Sequence, residues 1–140
     1  APGTPNAIGP GKRPLCNMCP VVATDAAGRP EIALGASGGR RILAAVYQML
    51  ALVAGFGMEV GRAAHHPRID VSGPEGVTAD GRLPEAVLAA LEAAGPVEVV
   101  EHAVLPVNFA CPNLIAIAPD GTRSGITDVM SPWSAALAQG

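Results

Sequence analysis

The sequence has few aromatic side chains, few charged side chains and a single lysine. Its 140 residues contain one Trp, one Tyr and two Phe, and charged residues make up 15% of the chain. So few aromatic rings do not provide the stacking surface that single-stranded nucleic acids require. Nine scattered basic residues, under a formal net charge of -3, do not neutralise a run of phosphates. The composition therefore predicts no nucleic-acid partner.

Long apolar runs and cysteines are also scarce. The longest apolar stretch, Ile42 to Met58, contains Gln48 and is shorter than the roughly 20 residues of a membrane-spanning helix. Three cysteines, an odd number in a chain with a core of ordinary size, do not form a disulfide scaffold. We expect no contact with a membrane, and the compartment stays open between cytoplasmic, periplasmic and secreted.

Apolar residues, glycine and proline are abundant. An apolar fraction of 49% excludes general disorder, and 140 residues correspond to one domain with one core. Because the 17 Gly and 14 Pro follow no collagen-like period, they indicate turns, caps and loops between many short elements. The opening, residues 1–20, predicts an extended loop segment.

Hydrophobic spacing predicts two hairpins, three helices and one further strand. The first hairpin joins strands at 21–24 and 32–34, and the second joins strands at 114–118 and 122–126. Helices are predicted over 40–56, 59–64 and 84–94, and the further strand over 97–104. The first helix has a wide apolar stripe that we expect to be buried, formed by Ile42, Leu43, Val46, Met49, Leu50, Val53 and Phe56. The third helix is expected to turn Val87, Leu88 and Leu91 inward. This order favours an α+β fold, an antiparallel sheet with packed helices, over a parallel repeat.

Backbone N–H groups are concentrated where the chain turns through Gly35-Ala36-Ser37-Gly38-Gly39 into the first helix. The first turn of a helix has unpaired N–H donors and a partial positive charge, and glycines let a ligand oxygen approach the backbone. Such donors can stabilise the negative oxygen formed when a carbonyl is attacked, by about 3 to 4 kcal/mol. The alternative is a tight turn without a ligand. Arg40 and Arg41, which follow, either contact an anionic substrate or lie in solvent.

A second stretch, Gly9–Pro20, reads Gly-Pro-Gly-Lys-Arg-Pro-Leu-Cys-Asn-Met-Cys-Pro. After the glycine turn come residues 63–68 (Ala-Ala-His-His-Pro-Arg), the turn at 119–121 (Pro-Asp-Gly) and residues 125–128 (Gly-Ile-Thr-Asp). In their order and spacing, from about Asn6 to Asp128, these stretches resemble the C-terminal part of the small subunit of γ-glutamyltransferases.

The resemblance implies the αββα sandwich of N-terminal-nucleophile (Ntn) hydrolases. In that fold a threonine freed by autocatalytic cleavage attacks a γ-glutamyl amide, and its own α-amino group acts as the base. The family pattern assigns the oxyanion-stabilising backbone amides to Gly38 and Gly39. The serine pair that binds the α-carboxylate of the glutamyl group falls on Cys16 and Asn17. The Asn17 amide can donate a hydrogen bond, whereas a thiol is a weak donor. No cofactor and no metal are implied.

The nucleophile of this family is not among these residues. The chain begins with Ala1, and Thr4 has no free amine. The resemblance therefore predicts a single partial domain over residues 1–140 that does not turn over a γ-glutamyl small molecule by itself. Its expected partners are the rest of the small subunit and a large subunit, or a second copy, because the missing strands expose an apolar sheet face. The alternative is a non-catalytic interaction or scaffold fragment of the same fold.

The spacing Cys16-x-x-Cys19 leaves a further alternative, a metal or redox module. Cys111 and either His65 or His66 are the candidate additional ligands. Zinc ribbons usually present a second closely spaced ligand pair, which Cys111 alone does not provide. Free thiols are therefore favoured over a metal site.

Overall fold

Two β-sheets and three α-helices make up the fold, and the computed structural model describes residues 3–4, 7–104 and 107–137. The elements in chain order are β1 Val21–Thr24, β2 Pro30–Ser37, α1 Ile42–Leu50, α2 Val60–His65, β3 Ile69–Asp70, β4 Val77–Asp80, α3 Glu85–Ala94, β5 Val97–Val100, β6 Cys111–Ile117 and β7 Arg123–Thr127. Strands β1, β2, β6 and β7 form an antiparallel sheet in that order, and β3, β4 and β5 form a smaller one.

Both predicted hairpins are confirmed, and local hydrogen bonds explain their turns. In the first, the Asp25 carboxylate accepts hydrogen bonds from the backbone N–H groups of Ala27 and Arg29 at 2.8 and 2.9 Å. In the second, the Asp120 carboxylate accepts the N–H of Thr122 at 2.9 Å. Aspartate favours such turns because its short side chain can satisfy the backbone two residues on.

The core lies between one face of the four-stranded sheet and helices α1 and α2. Side chains alternate along each strand, so β2 buries Ile32 and Leu34 while β6 buries Leu114. The helices add Ile42, Ala45, Val46, Met49, Ala63 and Ala64. Burial of a side chain the size of Ile or Leu contributes about 1.5–3 kcal/mol. The predicted α+β class, with helices packed on an antiparallel sheet, is confirmed.

The opposite face of this sheet is largely uncovered by the described residues. On it, Val22 is 71% exposed and Ile115 is 47% exposed. Residues 135–137 and the strands line an open cavity of about 540 Å³ on this side of the sheet. An exposed apolar sheet face, as expected from the sequence, is therefore present.

Helix α1 begins and ends differently from the predicted helix over 40–56. A 3-10 turn over Gly39–Arg41 precedes it, and a π-helical turn over Ala51–Gly55 follows it. Because a π turn contains an extra residue, Phe56 rotates out of the apolar stripe and is 80% exposed. Leu43 is 64% exposed. The prediction that both face inward is wrong.

The smaller sheet contains two strands, β3 and β4, that the sequence patterns do not predict. Strand β3 has only two residues, and the Gln48 side chain of α1 bonds to the backbone of Ile69 through both its amide nitrogen and its oxygen. Strands β4 and β5 pair in parallel, with α3 between them along the chain. Helix α3 has no fully buried residue and Val87 is 41% exposed, so its predicted inward face is only partly covered.

The opening segment contains no helix or strand over residues 12–20. Residues 1, 2, 5 and 6 of the predicted extended segment lie outside the described residues. Among the helices that the structure describes, none combines the length and apolarity needed to cross a membrane.

Candidate active site

The glycine turn lies where β2 ends and the 3-10 turn begins. Gly38 has φ 144° and ψ 21°, and Gly39 has φ 63°. A Cβ atom at Gly38 would lie 2.6 Å from the Cβ and 2.7 Å from the Cα of Ala110. Only glycine fits this position without a shift of the neighbouring backbone, because both the φ angle and the contact with Ala110 exclude a side chain.

The N–H groups of Gly38 and Gly39 have no hydrogen-bond acceptor within the described part of the chain. The carbonyl of Gly38 accepts the N–H of Arg41 at 3.3 Å, and the carbonyl of Gly39 accepts the N–H of Ile42. The two carbonyls thus accept hydrogen bonds within the turn, whereas the two N–H groups remain without an acceptor in the described residues. Gly38 is partly exposed and Gly39 is exposed, so neither residue is sealed inside the core.

The segment that contains Cys16 and Asn17 lies next to this turn. Together with Arg40 and Leu43, residues 15–19 line a cavity of about 470 Å³. Gly38 and Gly39 do not line that cavity themselves and adjoin it through Arg40, their chain neighbour. Thus Cys16 and Asn17 line the cavity, and Gly38 and Gly39 lie beside it at the start of the 3-10 turn.

Arg40 and Arg41 have different surroundings. The guanidinium of Arg41 donates a hydrogen bond to the carbonyl of Val107 at 3.0 Å, which ties the 3-10 turn to the segment before β6. The guanidinium of Arg40 has no hydrogen-bond or ion-pair partner among residues 3–4, 7–104 and 107–137, and Arg40 lines the cavity that Asn17 also lines. Of the two, Arg40 is therefore the residue available to an anionic substrate.

A buried network of charged side chains joins the two sheets. Arg68 forms an ion pair with Asp128, and both side chains are at most 1% exposed. His102 lies between Asp128 and Asp80. Its Nε2 atom is 3.6 Å from the carboxylate of Asp128, and its Nδ1 atom is 3.7 Å from the carboxylate of Asp80. Arg82 pairs with Asp80 and also approaches Nδ1 of His102 at 3.0 Å. Two cations therefore balance two anions around one imidazole.

The network favours an uncharged imidazole. Burial lowers the pKa of His102, and the nearby Arg68 and Arg82 guanidinium groups lower it further against the opposing carboxylates. Burial alone would raise the pKa of Asp80, but hydrogen bonds from Arg82 hold it below its ordinary value. Because buried charges are tolerated only when they are paired, the network fixes the relative positions of strands that are distant in sequence.

The sequence patterns do not predict this network. Arg68 and Asp128 lie in stretches that carry the family resemblance, but they are 60 residues apart and neither spacing nor periodicity links them. His102 stands in an irregular segment with no motif. Only the tertiary structure brings the five side chains together.

His65 and His66, the candidate metal ligands in the sequence, lie at the C-terminal end of α2. His65 is the last residue of α2, and its carbonyl accepts a hydrogen bond from Arg82 at 3.3 Å. The Nδ1 atom of His66 is 2.8 Å from the carbonyl of Pro67. Within the described ranges, no cluster of three or more His, Cys, Asp and Glu residues is arranged to hold a metal ion.

Comparison with known proteins identifies the family. Residues 1–136 match the family model described as gamma-glutamyltranspeptidase. The chain is 30% identical over 130 residues, 92% of its length, to the glutathione hydrolase proenzyme of Escherichia coli (strain K12). It is 35% identical over 126 residues, 89% of its length, to the acylase ACY 1 proenzyme of Pseudomonas sp. (strain SE83). The chain spans 21% of the length of each of these relatives, so the matched region is part of a longer polypeptide in them.

The fold gives the same result. A variant of Helicobacter pylori γ-glutamyltranspeptidase superposes with a TM-score of 0.77 at 25% sequence identity, over 94% of this chain and 75% of that one. The predicted class, part of the αββα sandwich of Ntn hydrolases, is confirmed by this likeness. With a family match over nearly the whole sequence and a fold that agrees with it, this chain belongs to the γ-glutamyltranspeptidase family.

Proposed function

We propose that this chain forms the oxyanion-stabilising and substrate-binding part of an enzyme that transfers or hydrolyses γ-glutamyl or related acyl groups. The nucleophile in this proposal is a threonine at the start of a processed chain, contributed by polypeptide outside residues 1–140. It attacks the acyl carbonyl and forms an acyl-threonine intermediate. Water or an acceptor amine then releases the acyl group.

The observation that carries the proposal is the pair of available amides at Gly38 and Gly39. When the nucleophile adds to a carbonyl, negative charge develops on its oxygen, and fixed N–H donors stabilise that charge more than they stabilise the neutral substrate. The donors are fixed because the Gly38 and Gly39 carbonyls are held in the 3-10 turn. Both N–H groups lack a protein acceptor in the described ranges, as an oxyanion site requires.

The cavity next to the turn suits the charged end of a γ-glutamyl group. Asn17 is exposed, and its side chain has no hydrogen-bond partner among the described residues. Arg40 lines the same cavity. An amide donor and an unpaired cation together can hold a carboxylate. Cys16 lies where the family pattern has a serine, and it contributes little as a donor.

The uncovered sheet face is the proposed contact with the remainder of the enzyme. Val22 and Ile115 are exposed on it, and apolar sheet faces of this kind normally pack against another layer. In the proposal that layer is the sheet that brings the nucleophile, contributed by the rest of the small subunit, with a large subunit beside it. A single partial domain over residues 1–140 stays a prediction.

The test uses the processed enzyme that contains this sequence and a γ-glutamyl anilide as substrate. Removal of one hydrogen-bond donor to a charged group costs about 1.5–3 kcal/mol, so Asn17→Ala should raise KM by about 10- to 100-fold with a smaller effect on kcat. Thr122→Ala, an exposed change in the β6–β7 turn at the far end of the sheet, is the matched control and should leave both constants unchanged. Equal KM values for the two variants would refute the assignment of Asn17.

A further inference from the structure

Two cysteines that the proposed chemistry does not use stand on either side of Asn17. Cys16 is exposed, Cys19 is partly exposed, and both are free thiols. Both line the cavity of about 470 Å³ that Arg40 also lines. The dithiol therefore lies in the same cavity as the residue that the proposed function assigns to substrate binding.

No helix, strand or backbone-to-backbone hydrogen bond within the described residues holds residues 13–19, the segment that contains these cysteines. A disulfide requires the two Cα atoms to approach to about 4.4–6.8 Å. Because no main-chain hydrogen bond has to break, the three-residue separation of Cys16 and Cys19 allows this segment to close into a turn that meets the requirement.

The three cysteines differ in the chemical setting of their thiols. The thiolate is the reactive form of a cysteine. Cys16 is exposed and accessible to a reactant, and Arg40, whose guanidinium has no partner among the described residues, lines the same cavity as Cys16 and Cys19. Cys111 is the contrasting case, since burial and the carboxylate of Asp128 raise its pKa and disfavour its thiolate. The unpaired cation also favours a co-reactant that carries carboxylates.

We propose that Cys16 and Cys19 form a dithiol site that reacts with small anionic disulfides. The Cys16 thiolate attacks one sulfur of the disulfide RSSR, which forms the mixed disulfide Cys16–S–SR and releases one thiol, RSH, once the leaving thiolate takes up a proton. The Cys19 thiolate then attacks the Cys16 sulfur, closes the Cys16–Cys19 disulfide and releases the second RSH. The protein dithiol loses two hydrogens and two electrons, and RSSR is reduced to two RSH.

Closure changes the position of Asn17, because this residue lies inside the ring that the new disulfide forms. The effect on substrate binding rests on the proposed function, in which Asn17 donates a hydrogen bond to the α-carboxylate. The oxidised enzyme loses that donor geometry. We expect oxidation to raise KM for a γ-glutamyl substrate by about 10-fold, the effect of one charge-assisted hydrogen bond, with little change in kcat.

The thiol chemistry can be measured without any enzyme activity. The whole protein is incubated with glutathione disulfide, the remaining thiols are alkylated, and each cysteine is quantified by peptide mass spectrometry. We expect a loss of two hydrogens in the peptide that contains Cys16 and Cys19, at least 10-fold faster than any modification of Cys111. Cys19→Ser should stop the reaction at the glutathione adduct of Cys16, and Cys111→Ser should change nothing. A Cys16–Cys19 peptide that stays reduced under these conditions would overturn the proposal.

The activity measurement separates this inference from the proposed function. The reduced and oxidised forms of the processed enzyme are compared with a γ-glutamyl anilide, and reduction by dithiothreitol should restore the lower KM. A disulfide that forms without a change in KM would overturn the coupling to substrate binding. Disulfide formation in a protein with no γ-glutamyl turnover would overturn the proposed function while supporting the dithiol site.

Discussion

Replacement of Gly38 by alanine is the sharpest test of the turn on which the candidate site depends. The methyl group would lie 2.6 Å from the Cβ and 2.7 Å from the Cα of Ala110. Real Cβ atoms do not approach other carbon atoms so closely, and one of the two atoms belongs to the backbone. The backbone at Gly38 or at Ala110 therefore has to move, and a shift at Gly38 displaces the N–H groups of Gly38 and Gly39.

The loss of stability expected for Gly38→Ala is the sum of two separate free-energy costs. A non-glycine residue in a sparsely populated backbone region costs about 1–3 kcal/mol, and an extra methyl group in a packed site costs about 1–3 kcal/mol. We expect Gly38→Ala to lower the free energy of unfolding by about 2–6 kcal/mol in total. Gly28→Ala is the matched control: Gly28 has φ 80°, and no atom lies within 4 Å of the place that its new methyl group would take, so only the backbone cost of about 1–2 kcal/mol applies.

The assay is urea denaturation of the protein that contains this sequence, followed by circular dichroism, with Gly38→Ala, Gly28→Ala and the parent measured side by side. The structure predicts that Gly38→Ala is the less stable variant by at least about 1 kcal/mol, the smallest cost of the extra contact. In the processed enzyme, kcat for Gly38→Ala should fall by about 100-fold or more because an oxyanion donor is displaced. Equal stability of the two alanine variants would refute the packing argument at Ala110.

Three further predictions concern the residues that hold the sheets together. Asp128→Asn leaves a buried guanidinium without its anion and should lower the free energy of unfolding by about 3–5 kcal/mol. Glu92→Gln, at an exposed position of α3, should change it little, and thermal unfolding compares the two variants. Because burial lowers the pKa of His102 below its usual 6.5, the unfolded chain takes up a proton first as the pH falls. Stability should therefore decrease as the pH drops below about 6.5, and His102→Gln should remove that part of the pH profile; an unchanged profile would contradict the assignment. Gln48→Leu removes two hydrogen bonds to the backbone of Ile69. It should lower the free energy of unfolding by about 1–3 kcal/mol and speed hydrogen exchange at the Ile69 amide. Exchange at the rate of the parent protein would contradict the role given to Gln48.

The local part of the fold can be predicted from the sequence because its signals lie close together. The Asp25 and Asp120 turns, the alternation of Ile32 and Leu34, and the apolar spacing of α1 all involve neighbours within a few residues. The glycine turn is equally local, since two consecutive glycines before a helix predict available N–H groups. The structure agrees with both turns and with the strand alternation. It agrees with the apolar spacing of the first helix except at Leu43 and Phe56, which are exposed.

Two of the three features that the sequence does not predict depend on distant residues. Strand β3 has only two residues and is bonded by the side chain of Gln48, so no alternation of apolar and polar residues predicts it. The network around His102 joins groups up to 60 positions apart. The outward rotation of Phe56 follows from a π turn, which no spacing rule in the segment predicts. Tertiary contacts decide the first two, whereas the π turn is closed by a local hydrogen bond from the N–H of Phe56 to the carbonyl of Ala51.

The most direct measurement of the central claim is a crystal structure of the processed enzyme with a γ-glutamyl group trapped on its nucleophile. We expect the oxyanion to lie about 2.7–3.1 Å from the backbone nitrogen atoms of Gly38 and Gly39, with the α-carboxylate in the cavity of Asn17 and Arg40. An oxyanion that contacts other donors, with the Gly38 and Gly39 amides turned away from it, would contradict the proposed role of the glycine turn.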